Sequence, residues 1–216
     1  MFRHTEAGIA RAKGTAGQGP RARLLAATIQ TVALRGYWDA SVSELVSASG
    51  LDEAVFNEHF EGKRDCFVQA IDEILRAGER AALELFELEL PWSERVKLGL
   101  QRLLGALAEH PLAARVLLVD AYGAGPEPYE RLRRACMLLV EFMERGRNGS
   151  PSAAQLPAET SETIVGGVLS ILQRRVLQGN TDELSDLLGD LVYFALLPYL
   201  ESEQASRVSV TAQQID

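Results

Sequence analysis

Beyond Gly62 the apolar residues return every third or fourth position almost without a break, the period of a helix and not of a strand. Phe67, Ile71, Ile74, Gly78, Ala81, Leu85 and Leu88 step along one face of a long amphipathic helix that Pro91 ends. Val96, Leu100, Leu103 and Leu107 carry the spacing on to His110-Pro111. A short apolar stretch over 111–122 follows, with Pro111 suited to a first helical position. Leu132, Cys136, Leu139 and Met143 mark a further helix entered through Gly125-Pro126, and residues 148–156 read as a loop rich in Gly, Ser and Pro. No period-two alternation and no internal repeat occurs. The fold class is all-α.

The two closing helices differ from the rest. Ile164, Val168, Ile171, Leu172 and Val176 share a face beside Gly166-Gly167, a pair that permits close helix approach. Asn180 and Glu183 offer a capping box ahead of Leu184, Leu187, Leu188, Leu191, Val192, Ala195 and Leu196. That last apolar arc is wider than the ~100° stripe of a surface helix. Burial in a bundle shared by two copies explains it, with Ile164, Val168, Ile171, Arg175, Leu188, Leu191 and Ala195 at the interface. A central helix of a single chain's core is the alternative.

At the other end, residues 1–20 lack apolar periodicity and read as a flexible basic arm. A helix after Pro20, with Leu25, Ile29 and Val32 on one face, should stop near Gly36. Ser41-Val42-Ser43-Glu44 has the form of a capping box, opening a short helix that ends at Gly50. Asp52 is the expected N-cap of a third helix carrying Phe56 and reaching Phe60. Two short helices joined by a tight glycine turn make a helix-turn-helix.

Charge is unevenly spread. The net charge of −8 is wrong for a nucleic-acid binder taken as a whole. Yet the first 35 residues hold Arg3, Arg11, Lys13, Arg21, Arg23 and Arg35 against Glu6 alone. From 36 to 65 the balance reverses: Lys63 and Arg64 face Asp39, Glu44, Asp52, Glu53, Glu58, Glu61 and Asp65. No apolar run approaches the ~20 residues of a membrane span, and no secretory h-region opens the chain. Cys66 and Cys136 match no zinc or redox spacing and suggest free thiols in a reducing, cytoplasmic setting. His4, His59 and His110 are too scattered for a metal site. No local catalytic motif appears, so neither enzyme activity nor a cofactor is expected.

The stretch 21–67 resembles the DNA-binding domain of TetR-family transcriptional regulators. The resemblance is carried by Arg23-Leu24-Leu25-Ala26-Ala27, Gly36-Tyr37, Ser41-Val42 with Leu45, Gly50-Leu51, His59-Phe60, Lys63 and Cys66-Phe67. Glu94-Arg95-Val96, His110-Pro111, Gly125-Pro126 and Pro198-Tyr199-Leu200 are similar to the actinobacterial type of that family. The resemblance implies an N-terminal three-helix helix-turn-helix domain at 21–66, a larger helical ligand-binding and dimerisation domain at 67–202, and a tail from 203 to 216. It further implies a homodimer that grips double-stranded DNA at a palindromic operator and is released, as a repressor, by a small effector.

Matched position by position, the recognition helix turns Glu53, Ala54, Val55, Asn57, Glu58 and His59 toward DNA, with Phe56 and Phe60 inward. The family pattern has tyrosine where this chain has Asn57, and often a cation where it has Glu53 or Glu58. Two carboxylates weaken phosphate binding. Base readout remains open to them, since Glu accepts from cytosine, Asn pairs with adenine, and Ala54 or Val55 can touch a thymine methyl. Affinity is therefore assigned to Lys63, Arg21, Arg23, Ser41 and the arm. A dimeric ligand-binding or protein-interaction module that has lost operator binding is the alternative. The effector cavity, expected to be mainly apolar, is assigned to Leu103, Leu107, Leu118, Tyr122, Met137 and Gln173. For Asp120, Tyr122 and Gln173, polar groups in apolar helices, a hydrogen bond within the core is the competing role.

Overall fold

The computed structural model describes residues 19–149 and 151–210, and among them there is helix but no strand. The basic arm, with Arg3, Arg11 and Lys13, and residues 211–216 of the expected tail lie outside the described residues. Helices α1 (Pro20–Arg35), α2 (Val42–Ser49) and α3 (Glu53–His59) form the N-terminal unit. It packs on the start of α4 (Lys63–Glu87). Helices α5 (Trp92–Glu109) and α6 (Pro111–Arg115) follow, then a π-helical turn at Val116–Asp120 and the single turn α7 (Ala121–Gly123). The long helices α8 (Pro126–Glu144) and α9 (Thr160–Gln178) precede α10 (Leu188–Leu196) and α11 (Ser202–Val210).

The start of α2 is set by Ser41 and Glu44 as expected. The Glu44 backbone N–H donates to Ser41 Oγ at 3.3 Å, and the Ser41 N–H donates to the Glu44 carboxylate at 2.9 Å. The Ser41 N–H, together with the Ser41 hydroxyl donating at 2.9 Å, holds the Glu44 carboxyl below its ordinary range. Asp52 occupies the N-cap position of α3 without a side-chain cap.

Three other local expectations are corrected. Asn180 does not cap a helix through its own backbone. Its Nδ2 donates to the Glu183 carboxylate at 3.1 Å, and a 3-10 turn at Leu184–Leu187 precedes α10. The 148–156 loop contains 3-10 turns at Arg145–Gly149 and Ala153–Gln155. Residues 203–210, assigned to a tail, belong to α11 because Ala205 is fully buried against the α5–α10 core.

Four apolar clusters stack along the molecule. Leu24, Leu25, Val46, Phe56, Phe60, Cys66 and Ala70 form the core of the N-terminal unit. Val32, Tyr37, Ala40, Phe67 and Ile71 join it to Val116, Ala121 and Ala124 of the segment between α6 and α8. A third cluster holds Leu104, Leu107, Leu118, Leu172 and Leu184, and a fourth holds Phe142, Ile164, Leu196 and Tyr199. In the fourth, Tyr199 Oη and Ser161 Oγ are 2.6 Å apart, and Ser161 donates to Glu144, itself paired with Arg147. The Trp92 ring lies edge-on to Tyr199 and directly on Gly146, where an added Cβ would come within 2.5 Å of the indole. Only glycine fits there.

Candidate DNA interface and effector cleft

Helix α3 is amphipathic in the sense its sequence demands. Phe56 and the following Phe60 are buried at 1 % and 3 % exposure, with ring centroids 5.5 Å apart. Burying one such ring contributes roughly 1.5–3 kcal/mol, enough to fix which way a seven-residue helix faces. Glu53, Ala54, Asn57, Glu58 and His59 are left exposed, and Val55 is half-buried. The side chains matched to a DNA-facing role thus lie together on one solvent face.

The turn before α3 is clamped from α1. Arg23 Nη2 donates to the carbonyls of Ser49 at 2.7 Å and Gly50 at 3.2 Å. Those carbonyls end α2, so the guanidinium satisfies groups the helix leaves open. Gly50 is left-handed at φ 64°, and a Cβ there would stand 3.2 Å from the same guanidinium.

The other cations are also engaged. Lys63 Nζ donates to the carbonyls of Tyr37 at 2.9 Å and Ala40 at 2.8 Å, and lies 4.6 Å from the Tyr37 ring centroid. Two of its three N–H groups are consumed in fixing the α1–α2 loop, which leaves one for phosphate. Arg21 donates to Gln69 at 2.6 Å, Arg35 pairs with Glu44 at 3.1 Å, and Arg64 pairs with Glu127 at 3.0 Å. Ser41 is spent on its cap. Every Lys and Arg between residues 19 and 66 has a partner within the chain. Sequence spacing carries no signal for this, because the acceptors are mostly backbone carbonyls of distant residues.

The N-terminal unit is tied to the body at the 116–123 segment. The Ala121 N–H reaches back five residues to the Val116 carbonyl, which places Arg115 and Asp120 on one side of the turn with Nε and Oδ2 3.9 Å apart. Asp120 is buried, its Oδ2 has no hydrogen-bond partner, and desolvation raises its carboxyl above the ordinary range. Trp38 Nε1 donates to the Gly123 carbonyl at 2.9 Å from the N-terminal side. Gln173 Nε2 donates to the Leu118 carbonyl at 2.7 Å from α9. Gln173 therefore has the structural partner weighed for it in the sequence.

A cleft of about 150 Å³ lies between α8 and α9. Helix α8 lines it with Tyr129, Leu132, Arg133, Cys136, Met137 and Val140; α9 supplies Glu162, Val165, Gly166 and Leu169, and α7 supplies Tyr122. Of the six effector residues assigned from sequence, Tyr122 and Met137 line it. Leu107 and Leu118 are core, Leu103 packs against that core, and Gln173 holds the π-turn. The further lining residues Tyr129, Arg133, Cys136 and Val140 follow one face of α8 at helical spacing, a face whose mixed chemistry was the available signal.

The interface residues assigned to α9 and α10 also fall differently. Ile164, Val168, Leu191 and Ala195 are buried within one chain, Ile171 and Leu188 pack against that core, and Arg175 pairs with Glu183 at 3.2 Å. The apolar surface these helices expose instead is Phe194, Leu197 and Leu177, and a Cβ added at Gly167 would stand 3.3 Å from the Phe194 ring.

Residues 24–70 match the family model described as bacterial regulatory proteins, tetR family. The N-terminal unit thus carries the DNA-binding domain of that family. Over 189 residues it is 25 % identical to the HTH-type transcriptional regulator YdgC of Bacillus subtilis strain 168, covering 84 % of this chain and 95 % of that one. Its fold is shared with the fatty acid degradation regulator FadR of Bacillus halodurans, at a TM-score of 0.75 and 19 % identity over 83 % of this chain and 96 % of the other. FadR of Bacillus subtilis, solved with stearoyl-CoA, superposes at a TM-score of 0.72 and 16 % identity, covering 82 % and 98 %. The family match makes the helix-turn-helix a DNA-binding element and supports reading the chain as a transcriptional regulator. Among the described residues no helix is long and apolar enough to cross a membrane, and no cluster of three or more His, Cys, Asp or Glu could hold a metal ion.

Proposed function

We propose that this regulator is a cytoplasmic homodimeric repressor that holds a palindromic operator and lets it go when a small, mainly apolar effector binds. The reading is carried by α3: five side chains of a DNA-reading helix stand free on one face, and Phe56 and the Arg23 clamp fix that face in space. Residues 21–66 are the DNA-binding domain, and 67–202, extended by α11, the effector and dimerisation domain. Asn57 reads a base, Glu58 or Glu53 accepts from a cytosine, and His59 and the last N–H of Lys63 meet the backbone. Because the described cations of the domain are already paired, Arg3, Arg11 and Lys13 supply most of the phosphate attraction.

The two-fold contact is made by the exposed face of α9 and α10, with Leu177, Phe194 and Leu197 meeting the same patch of the second copy. The cleft between α8 and α9 is the effector site, and the 116–123 segment connects it to α1 through Tyr122, Gly123 and Trp38.

Selection of random duplex DNA by the purified chain at about 0.15 M salt tests the reading. Enrichment of a palindrome with half-sites about one helical turn apart is the expected result. Absence of any enriched motif, there and at low salt, overturns it.

A further inference from the structure

We propose that the cleft between α8 and α9 takes a neutral, single-ring phenol. The inference rests on the reading of that cleft as the effector site and specifies its ligand. Size comes first: about 150 Å³ is the scale of a cavity that accommodates one benzene ring, and a long acyl chain would have to leave most of its length in solvent. The floor is apolar. At one end the Tyr122 and Tyr129 rings stand 5.8 Å apart and tilted by 55°, leaving faces and edges for a third ring to pack against.

Charge decides against an anion. Arg133, the cation of the lining, gives its Nε and Nη2 to Glu130 at 2.8 and 2.9 Å. Hydrogen bonds from Arg133, and from Arg134 beside it, hold the Glu130 carboxyl at about 2, so it is ionised at neutral pH and shares its charge with both guanidinium groups. Across the groove Glu162 makes no ion pair within 4 Å among the described residues, but its charge acts on Arg133. A carboxylate or phosphate entering the cleft would meet a guanidinium already shared between two carboxylates, Glu130 by hydrogen bonds and Glu162 by its nearby charge, so the lining carries no net positive charge. A neutral hydroxyl meets two phenols, neither hydrogen-bonded to another protein group among the described residues, and can donate to one while accepting from the other.

Titration calorimetry of the full chain with 4-methylphenol, 4-hydroxybenzoate, tyramine and dodecanoate tests this. One saturable site per chain is expected for 4-methylphenol, with the benzoate and tyramine at least tenfold weaker and dodecanoate unable to compete. Met137→Trp, at a half-exposed position on the cleft, should weaken 4-methylphenol at least tenfold without lowering the melting temperature or changing the oligomer. Tyr129→Phe should weaken it several-fold. No saturable binding, equal or tighter binding of the anion or the amine, competition by dodecanoate, or an affinity untouched by Met137→Trp overturns the assignment. Operator binding is read separately: if it persists while 4-methylphenol fails to bind, the ligand class alone falls. If 4-methylphenol binds but never changes operator affinity, the regulatory reading of the cleft falls and the ligand class stands.

Discussion

The N-terminal unit and the body are built from the same material, apolar residues at helical spacing, yet they differ in what decides their faces. In α1–α3 the decisive contacts are local: a capping box four residues long, a glycine turn, and Phe56 with Phe60 on a helix too short to have a second buried face. In the body each long helix touches several neighbours, and the residues that look like a surface stripe are divided among two cores, a cleft and an exposed patch. A short helix has one way to bury its rings; a long one among several partners has many.

The sharpest way to break this contrast is Phe56→Ala. Loss of a ring from a closed core costs about 3–5 kcal/mol, so denaturant unfolding should show a drop of that size together with loss of DNA binding. If stability fell by less than ~1 kcal/mol, Phe56 would not be what sets the face of α3.

Next is alkaline pH. Burial pushes the Cys66 thiol up from 9.0 to about 11, while an unfolded chain releases that proton nearer 9. The raised value stabilises the fold fully below about pH 9, and the contribution disappears as pH rises toward 11, roughly 3 kcal/mol in all. Melting temperatures of the wild type and Cys66→Ala should therefore converge between pH 9 and 11, and parallel curves would contradict the assignment.

Two glycines test the body. Gly146→Ala drives a methyl into the Trp92 ring and should cost about 1–3 kcal/mol, whereas Gly166→Ala, with open space around its Cβ, should leave a chain's own stability unchanged or slightly raised. Equal melting temperatures for the two would show that the Trp92 packing is looser than described.

Lys63→Ala sharpens the comparison at the joint. It strands two carbonyls of the α1–α2 loop and should cost about 1–3 kcal/mol of stability. The salt dependence of DNA binding should change by no more than one phosphate's worth. The smallest effect belongs to Glu53→Gln with Glu58→Gln, which should raise affinity for scrambled duplexes a few-fold by removing charge repulsion. A fall in that affinity would mean that the carboxylates accept from bases even without a cognate site.

How much was legible follows the same division. The helix boundaries of α1 to α3, the Ser41–Glu44 box and the exposed face of α3 could be read directly, because each is specified within a few residues. Most of the helices of the body were equally readable from their period. Which neighbour each face would meet was not. Ile164, Val168, Leu191 and Ala195 are apolar enough for an interface or a core, and only the packing of α9 and α10 against the third and fourth clusters decides for the core. The sequence holds Arg23 and Lys63 as cations near a DNA-reading helix. Their carbonyl partners belong to backbone that comes near only after folding. The π-turn had no signature at all, since its apolar residues satisfy a helical period whether or not one residue is in excess.

That excess residue has a mechanical consequence. A turn closing over five residues instead of four stores one step of helical phase between Arg115 and Ala121. Released, the step would rotate Ala121 and all that follows on its helix by about 100° and advance it about 1.5 Å. The Gly123 carbonyl that seats Trp38 rides on that segment, and so does the Tyr122 side chain at the cleft. A change of one residue in winding would thus be felt at both ends, which makes the length of 116–120 as consequential as its composition. Shortening it by one residue should lock the phase in one state.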